Sequence, residues 1–264
     1  MRRQRWFELH DQPWFPGGLR DLVTEALEAV WNRNGTYRPI AARLRDAVAQ
    51  SGVERIVDLC SGGGGPWLSL YPVVADGRPL GVTLTDQYPS ALLGHSVGAG
   101  GGVTVWPEPV DARRVPAELR GLRTIFSSFH HFDPAAARAI LADAFARREG
   151  IGVFEAARPN LWTMVAVAAM PVLSWQAAAG LRPFRWKRFL WTYLLPVVPA
   201  VLWVDGVLSC LRSYTLDDLR QLTAGLTAED YAWEIGDARG GRVPIRYVVG
   251  RPGKGTPQGK IVLD

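Results

Sequence analysis

Five short apolar runs recur between residues 56 and 155: Ile56–Leu59, Leu80–Asp86, Val103–Trp106, Leu122–Ser127 and Ile151–Glu155. Each is of strand length and most end in glycine, serine or an acid, the pattern of buried strands breaking into loops. Helical patterns stand between and around them. Ala135 to Arg148 is alanine-rich, which favours a helix. Leu22, Val23, Ala26, Leu27 and Val30 recur at helical spacing and predict a helix over Leu19–Trp31. Tyr37-Arg38-Pro39 introduces a second helix over Ile40–Ala49. Near the end, Thr215 with Asp217 and Asp218 reads as a helix start, acids in the first turn being favoured by the helix dipole. Tyr231–Ile235 and Val243–Val249 follow, and the linker Gly236–Arg242 can fold them into an antiparallel hairpin.

The stretch between the fifth strand and the Thr215 helix is of another kind. Residues 159–181 carry no charge, nor do residues 189–204, and Arg182, Arg185, Lys187 and Arg188 lie between the two runs. The first run approaches the ~20 apolar residues that span a bilayer. An interfacial hairpin with a basic, aromatic loop is therefore one reading. Pro171 and Gln176 interrupt the first run, and Pro196, Pro199 and Asp205 the second. Proline usually kinks or stops a helix, so several short helices folded as a lid are favoured. The lid's Trp162, Met164, Trp175, Trp186, Trp191, Tyr193 and Trp203 are expected to line a dry chamber. Trp162, Trp191 and Tyr193, with Trp14 of the N-terminal arm and Arg158, are the expected substrate contacts. The expected division is an arm over 1–50, a core over 51–158, a lid over 159–212, a return to the core over 213–250 and a flexible tail over 251–264.

Composition narrows the class. Hydrophobic residues make up 48% of 264 and charged ones 21%, which suits one globular domain with insertions. The net charge of +5 lies partly at the ends, in Arg2, Arg3, Arg5, Lys254 and Lys260, and no nucleic-acid motif accompanies it. Two cysteines, Cys60 and Cys210, give no disulfide framework and favour a reducing, cytoplasmic setting. No metal-ligand spacing stands out, since His130 and His131 are adjacent and the cysteines far apart. No signal-peptide core follows the first arginines.

The chemistry concentrates in Arg55-Ile-Val-Asp-Leu-Cys-Ser-Gly-Gly-Gly-Gly65. Glycine lets a ligand lie against the backbone, and Asp58, inside an apolar strand, needs a partner. A Walker loop fails, because Pro66-Trp67 stands where Lys-Ser/Thr is required. A Gly-x-Gly-x-x-Gly fingerprint fails at Trp67. Asp-x-Gly-x-Gly-x-Gly fits as Asp58, Cys60, Gly62 and Gly64, with Cys60 replacing the first glycine. Here the chain resembles the class I S-adenosylmethionine (SAM)-dependent methyltransferases, over about residues 40–160 and 213–250.

The resemblance implies a Rossmann-like, mostly parallel seven-stranded sheet ending in an antiparallel hairpin, with SAM as cofactor. It places Asp58, Cys60, Ser61, Gly62 and Gly64 beneath the methionine part and Asp86 on the ribose hydroxyls. Asp111 and the Ala112 N–H fall to the adenine, Ser127 to the fourth strand's tip, and Tyr37 and Arg38 to an arm covering the cofactor. His130 and His131 follow the fourth strand, where a methyl group would emerge. One of them is the candidate base or orienting group. Glu155 can hold an amine or hydroxyl, or pair with Arg158. The expected reaction is methyl transfer to oxygen or nitrogen of a small, fairly apolar, aromatic or heterocyclic molecule. The alternatives are a membrane-associated methyltransferase for a lipid or quinone-like acceptor, and a non-catalytic binding or membrane-docking protein on the same fold.

Overall fold

The structure is a computed structural model and describes residues 6–89 and 102–253. Arg2, Arg3, Arg5, Lys254, Lys260 and nearly all of the expected tail lie outside the described residues. β1 (Arg55–Leu59) runs between β2 (Gly81–Leu84) and β4 (Leu122–Phe126), parallel to both. β3 (Val103–Val105) extends the sheet beyond β2, and β5 (Ile151–Glu155) beyond β4, again in parallel. β7 (Ile245–Pro252) returns antiparallel to β5, and β6 (Tyr231–Ala238) closes the edge antiparallel to β7. The order β3-β2-β1-β4-β5-β7-β6 is the expected mostly parallel sheet with a terminal hairpin. Gly236, Asp237 and Ala238, expected in the turn, belong to β6.

Both faces of the sheet are covered, which is why its inner strands read as unbroken apolar runs. α1 (Gly17–Asn34) precedes the sheet and packs against the lid. α2 (Ala41–Ser51) and α3 (Trp67–Ala75) bring Leu44, Trp67, Leu70 and Val74 onto Ile56, Val82 and Phe126. On the other face, α4 (Pro134–Ala146) contributes Ile140 and Leu141 against Val57, Leu59, Ile125 and Val153. Asp133 caps α4 by accepting from the Ala136 N–H, and Pro134 takes the first position, where no N–H is needed. Arg123 is a charge inside β4 that the apolar pattern does not announce. It is tolerated because Asp143 and Glu149, each 2.6 Å away, pair its guanidinium.

The expected lid is a set of short helices: α5 (Leu161–Ala168), α6 (Met170–Gly180), α7 (Trp186–Phe189), a π-turn over Leu190–Leu194, and α8 (Val197–Arg212). Pro171 lies in the first turn of α6, and Pro196 and Pro199 sit at the start of α8, where proline is tolerated. Gln176 and Asp205 do not interrupt: they lie inside α6 and α8. Met170, Ala177, Val198, Val201 and Leu202 pack on Leu22, Val23, Ala26 and Val30 of α1, so the lid and the arm share one core. α9 (Leu216–Thr223) then returns to the sheet, opened by a reciprocal capping box between Thr215 and Asp218. Among the described residues no single helix is long and apolar enough to cross a membrane. Two bent pairs, α5 with α6 at 56° and the Trp186–Leu194 segment with α8 at 67°, reach that length and composition together.

Candidate active site

A cavity of about 960 Å³ opens where the chain leaves β1, β2, β4 and β5. It stands at the carboxyl edge of the strands, where the order reverses about β1, the usual ligand crevice of open α/β sheets. The glycine loop forms its floor. Cys60, Gly62, Gly64 and Gly65 all take positive φ, from 57° to 137°. Glycine adopts these angles without steric cost. Asp58, buried below the loop, accepts hydrogen bonds from the Thr124 and Ser61 hydroxyls. Burial outweighs those bonds and pushes the Asp58 carboxyl up to about 7. Asp86 lies just past β2. One of its oxygens accepts from the Gly62 N–H and the other from the Tyr88 N–H, both at 2.9 Å. Burial raises its pKa.

α1 carries a second set of loop contacts that the sequence reading missed. Glu28 accepts from the Gly63 and Gly65 N–H groups at 2.7 and 3.0 Å. Asn32 donates to the Gly65 carbonyl and accepts from the Ser69 N–H, each at 2.9 Å. The signal was a spacing of four: Thr24, Glu28 and Asn32 form a polar line beside the apolar stripe of the same helix. Burial pushes Glu28 up to about 8, despite the hydrogen bonds from Gly65 and Gly63. Between the ordinary value of 4.5 and that figure, the folded chain holds a proton the unfolded chain has lost. This contribution to stability is therefore lost as pH rises through the window. Glu28→Gln is expected to flatten that decline, by as much as a few kcal/mol at pH 9. Calorimetric melting at pH 5 and pH 9 checks it, and equal slopes for both chains would remove the titration from Glu28.

The N-terminal arm brings two carboxylates, Glu8 and Asp11, to the histidines. Asp205 inside α8 clamps the arm, accepting from the Leu9 and His10 N–H groups at 2.7 and 3.2 Å and hydrogen-bonding the His10 ring at 2.7 Å. That places buried Glu8 3.2 Å from Nε2 of His130, 3.7 Å from Nε2 of His131 and 3.5 Å from the Arg212 guanidinium. Nδ1 of His130 meets Glu155 at 2.6 Å, and Glu155 also accepts from the Phe129 N–H. Asp11 holds Nδ1 of His131.

Burial works against charge at His130, but the charge and hydrogen bond of Glu155, joined by Glu8, push it up to about 10. Burial likewise opposes the Glu8 charge, yet His131 and His130 hold that carboxyl far below the usual range. At neutral pH His130 is thus an imidazolium between two carboxylates. Glu8, His130 and His131 offer three ligand-type atoms within 4.8 Å of one another. Arg212 beside them supplies a positive charge in the same place, so the geometry is that of an ion network.

Of the residues singled out from sequence, Asp58, Cys60, Ser61, Gly62, Asp86, Ser127, His130 and His131 line the cavity together. Gly64 shapes the loop without lining it. Tyr37 lies behind the wall, its hydroxyl 2.6 Å from Ser127 Oγ. Glu155 lies behind His130. Arg38 is exposed outside the cavity, Asp111 is paired with Arg113 at 2.6 Å, and Ala112 is packed into the core. Arg158 pairs with Asp237 at 2.8 Å and not with Glu155.

The lid aromatics do not line the chamber. Trp14 and Trp162 are each 66% exposed, Trp191 packs on the shared core of lid and arm, and Tyr193 donates to the Trp175 carbonyl. The lid presents Thr163, Ala166, Val167 and Met170 to the cavity, at spacings of three, four and seven. Trp162 and Val165 fall on the other side of that turn.

The fold is that of the class I methyltransferases. The plantazolicin methyltransferase BpumL, solved in complex with SAH, superposes with a TM-score of 0.51 at 11% identity, covering 89% of this chain and 98% of its own. Human N-acetylserotonin methyltransferase, solved with SAM, gives the same TM-score at 13% identity, over 89% of this chain and 56% of its own. No protein-family model matches the chain, and no curated protein matches it in sequence.

Proposed function

We propose that the chain is a SAM-dependent methyltransferase that methylates oxygen or nitrogen of a small, fairly apolar molecule. One observation carries the reading: Asp86 and the positive-φ glycine loop face one crevice at the carboxyl edge of the sheet. The crevice suits the cofactor. Its volume is at the upper end of the ~300–1,000 Å³ of ligand pockets, enough for a nucleoside and a small acceptor. Both neighbours above were solved with SAM or SAH. Bound SAM would supply a methyl group already activated on a sulfonium.

The chain's residues then have positioning work. Asp86 offers its remaining lone pairs to the ribose hydroxyls. The glycine loop, held from below by Asp58 and from the side by Glu28, offers a close backbone surface to the methionine part. The aliphatic wall of Thr163, Val167, Met170, Leu173 and Leu202 excludes water and fits an apolar acceptor. His130, doubly paired, is a donor and not a base at neutral pH. His131, half-buried on the cavity wall, is the group to take a proton from a hydroxyl or ammonium acceptor.

Calorimetry with SAM and SAH tests the first half, with binding expected for both. Single-turnover transfer of a labelled methyl group to a panel of phenols and heteroaromatic amines tests the second. His131→Ala is expected to slow transfer at least about tenfold with cofactor affinity unchanged. A chain that binds neither SAM nor SAH would sink the reading.

A further inference from the structure

Phe184, Trp186, Phe189, Tyr193 and Trp175 of the lid form one connected aromatic cluster at the surface. Phe184 is 68% exposed and Trp186 59%, and both rings pack on Phe189, at 6.3 and 5.6 Å between centroids. Phe189 continues to Tyr193 at 5.4 Å, and the Tyr193 hydroxyl reaches the Trp175 carbonyl. The Trp175 indole in turn donates to the Thr192 carbonyl, and Leu194 beside it is 56% exposed. Water-soluble surfaces rarely carry so many large apolar side chains side by side without a partner.

Charge says which partner. Between Glu155 and Asp205 the chain has no acidic residue, while Arg182, Arg185, Lys187 and Arg188 lie within seven positions. The two inner cations, Arg185 and Arg188, reach back to Glu25 of α1, at 3.7 and 3.1 Å. Arg188 also donates to the Leu181 and Pro183 carbonyls, which pins the loop to the body. Arg182 and Lys187 stay exposed among the aromatics and make no ion pair among the described residues.

We propose that this face of the lid seats the protein on an anionic lipid surface. Phe184, Trp186 and Leu194 would enter the acyl boundary, with Arg182 and Lys187 among the headgroups. Tryptophan and arginine are the side chains suited to that depth. The helix pairs fit a surface position, since each bends, by 56° and 67°, where a straight spanning helix would run on. A second copy of the chain fits less well, because a face without acids would meet the same cations. The seat stands apart from the methyl-transfer reading: Arg182, Phe184, Trp186, Lys187 and Leu194 do not line the cavity.

The test is flotation of the full chain with vesicles of phosphatidylcholine alone and of phosphatidylcholine with phosphatidylglycerol. Binding is expected to the anionic vesicles and to weaken in high salt. Arg182→Glu with Lys187→Glu is expected to lower it at least about tenfold. Phe184→Ser with Trp186→Ser should abolish it. SAM affinity by calorimetry should stay unchanged in both variants, showing that the fold survives. Vesicle binding without SAM binding would leave the seat standing and remove only the methyl-transfer reading. Three results overturn the proposal: no binding to either vesicle, equal binding to both, or a dimer in light scattering that Trp186→Ser breaks while vesicles stay bare.

Discussion

Replacing Asp86 with alanine is expected to weaken SAM binding by about a hundredfold or more. A hydrogen bond to an ionised group is worth about 1.5–3 kcal/mol, and two ribose hydroxyls would lose their acceptor together. The substitution also frees the Gly62 N–H, so the glycine loop loses an anchor at the point where the cofactor would lie on it. Asp86→Asn separates the two effects. It keeps one oxygen and much of the shape but loses the charge, and its affinity is expected to fall between those of the parent and the alanine variant. Arg38→Ala provides the contrast, since Arg38 is exposed and stands outside the cavity. Calorimetry on the three variants checks the order. Unchanged affinity in Asp86→Ala would take the ribose role away from this residue.

What the sequence made legible follows from where periodicity speaks. β1, β4 and β5 are buried on both faces, so they appear as apolar runs, and the order of the strands around the glycine loop could be anticipated from the turns between them. The inner and outer faces of the lid could not. α5, α6 and α8 are apolar on most sides, and when polarity does not mark the solvent face, spacing alone cannot say which way Trp162 or Trp175 points. The docking of the expected arm was hidden for another reason. Asp205 meets Leu9 across 196 positions, a pairing with no local signature. Asp205 therefore looked like a break in an apolar run, although it is the clamp that delivers Glu8 to His130. Arg123 is a similar case, its two acids lying beyond the strand that contains it. Glu28 and Asn32 were within reach, because the spacing of four that places them on the loop can be read from α1 itself.

Glu8→Ala is expected to lower the His130 pKa and to cost roughly 10 °C in Tm. Removing one member of a buried ion network leaves the others uncompensated, typically at about 3–5 kcal/mol. A domain of this size loses roughly 2–4 °C for each kcal/mol. Here Arg212 and both histidines lose a partner at once.

The sign of the pH dependence follows from the two shifts. His130 is raised, so its contribution is complete below the ordinary histidine value of 6.5 and is lost as pH climbs through about 10. Glu8 is depressed, so its contribution is complete above 4.5 and is lost as pH falls below that. The network therefore stabilises most between about pH 4.5 and 6.5. Without Glu8 the acid-side loss disappears and the alkaline-side loss moves down toward neutrality, Glu155 alone remaining to hold the imidazolium. A proton titration of the His130 ring reads this directly, beside melting curves at pH 4, 6 and 9. Glu8→Gln keeps the shape and an acceptor but removes the charge, so a fallen His130 pKa in both variants assigns the effect to charge. A ring that still titrates near 10 in Glu8→Ala would mean that Glu155 suffices and that the arm does not govern the proton.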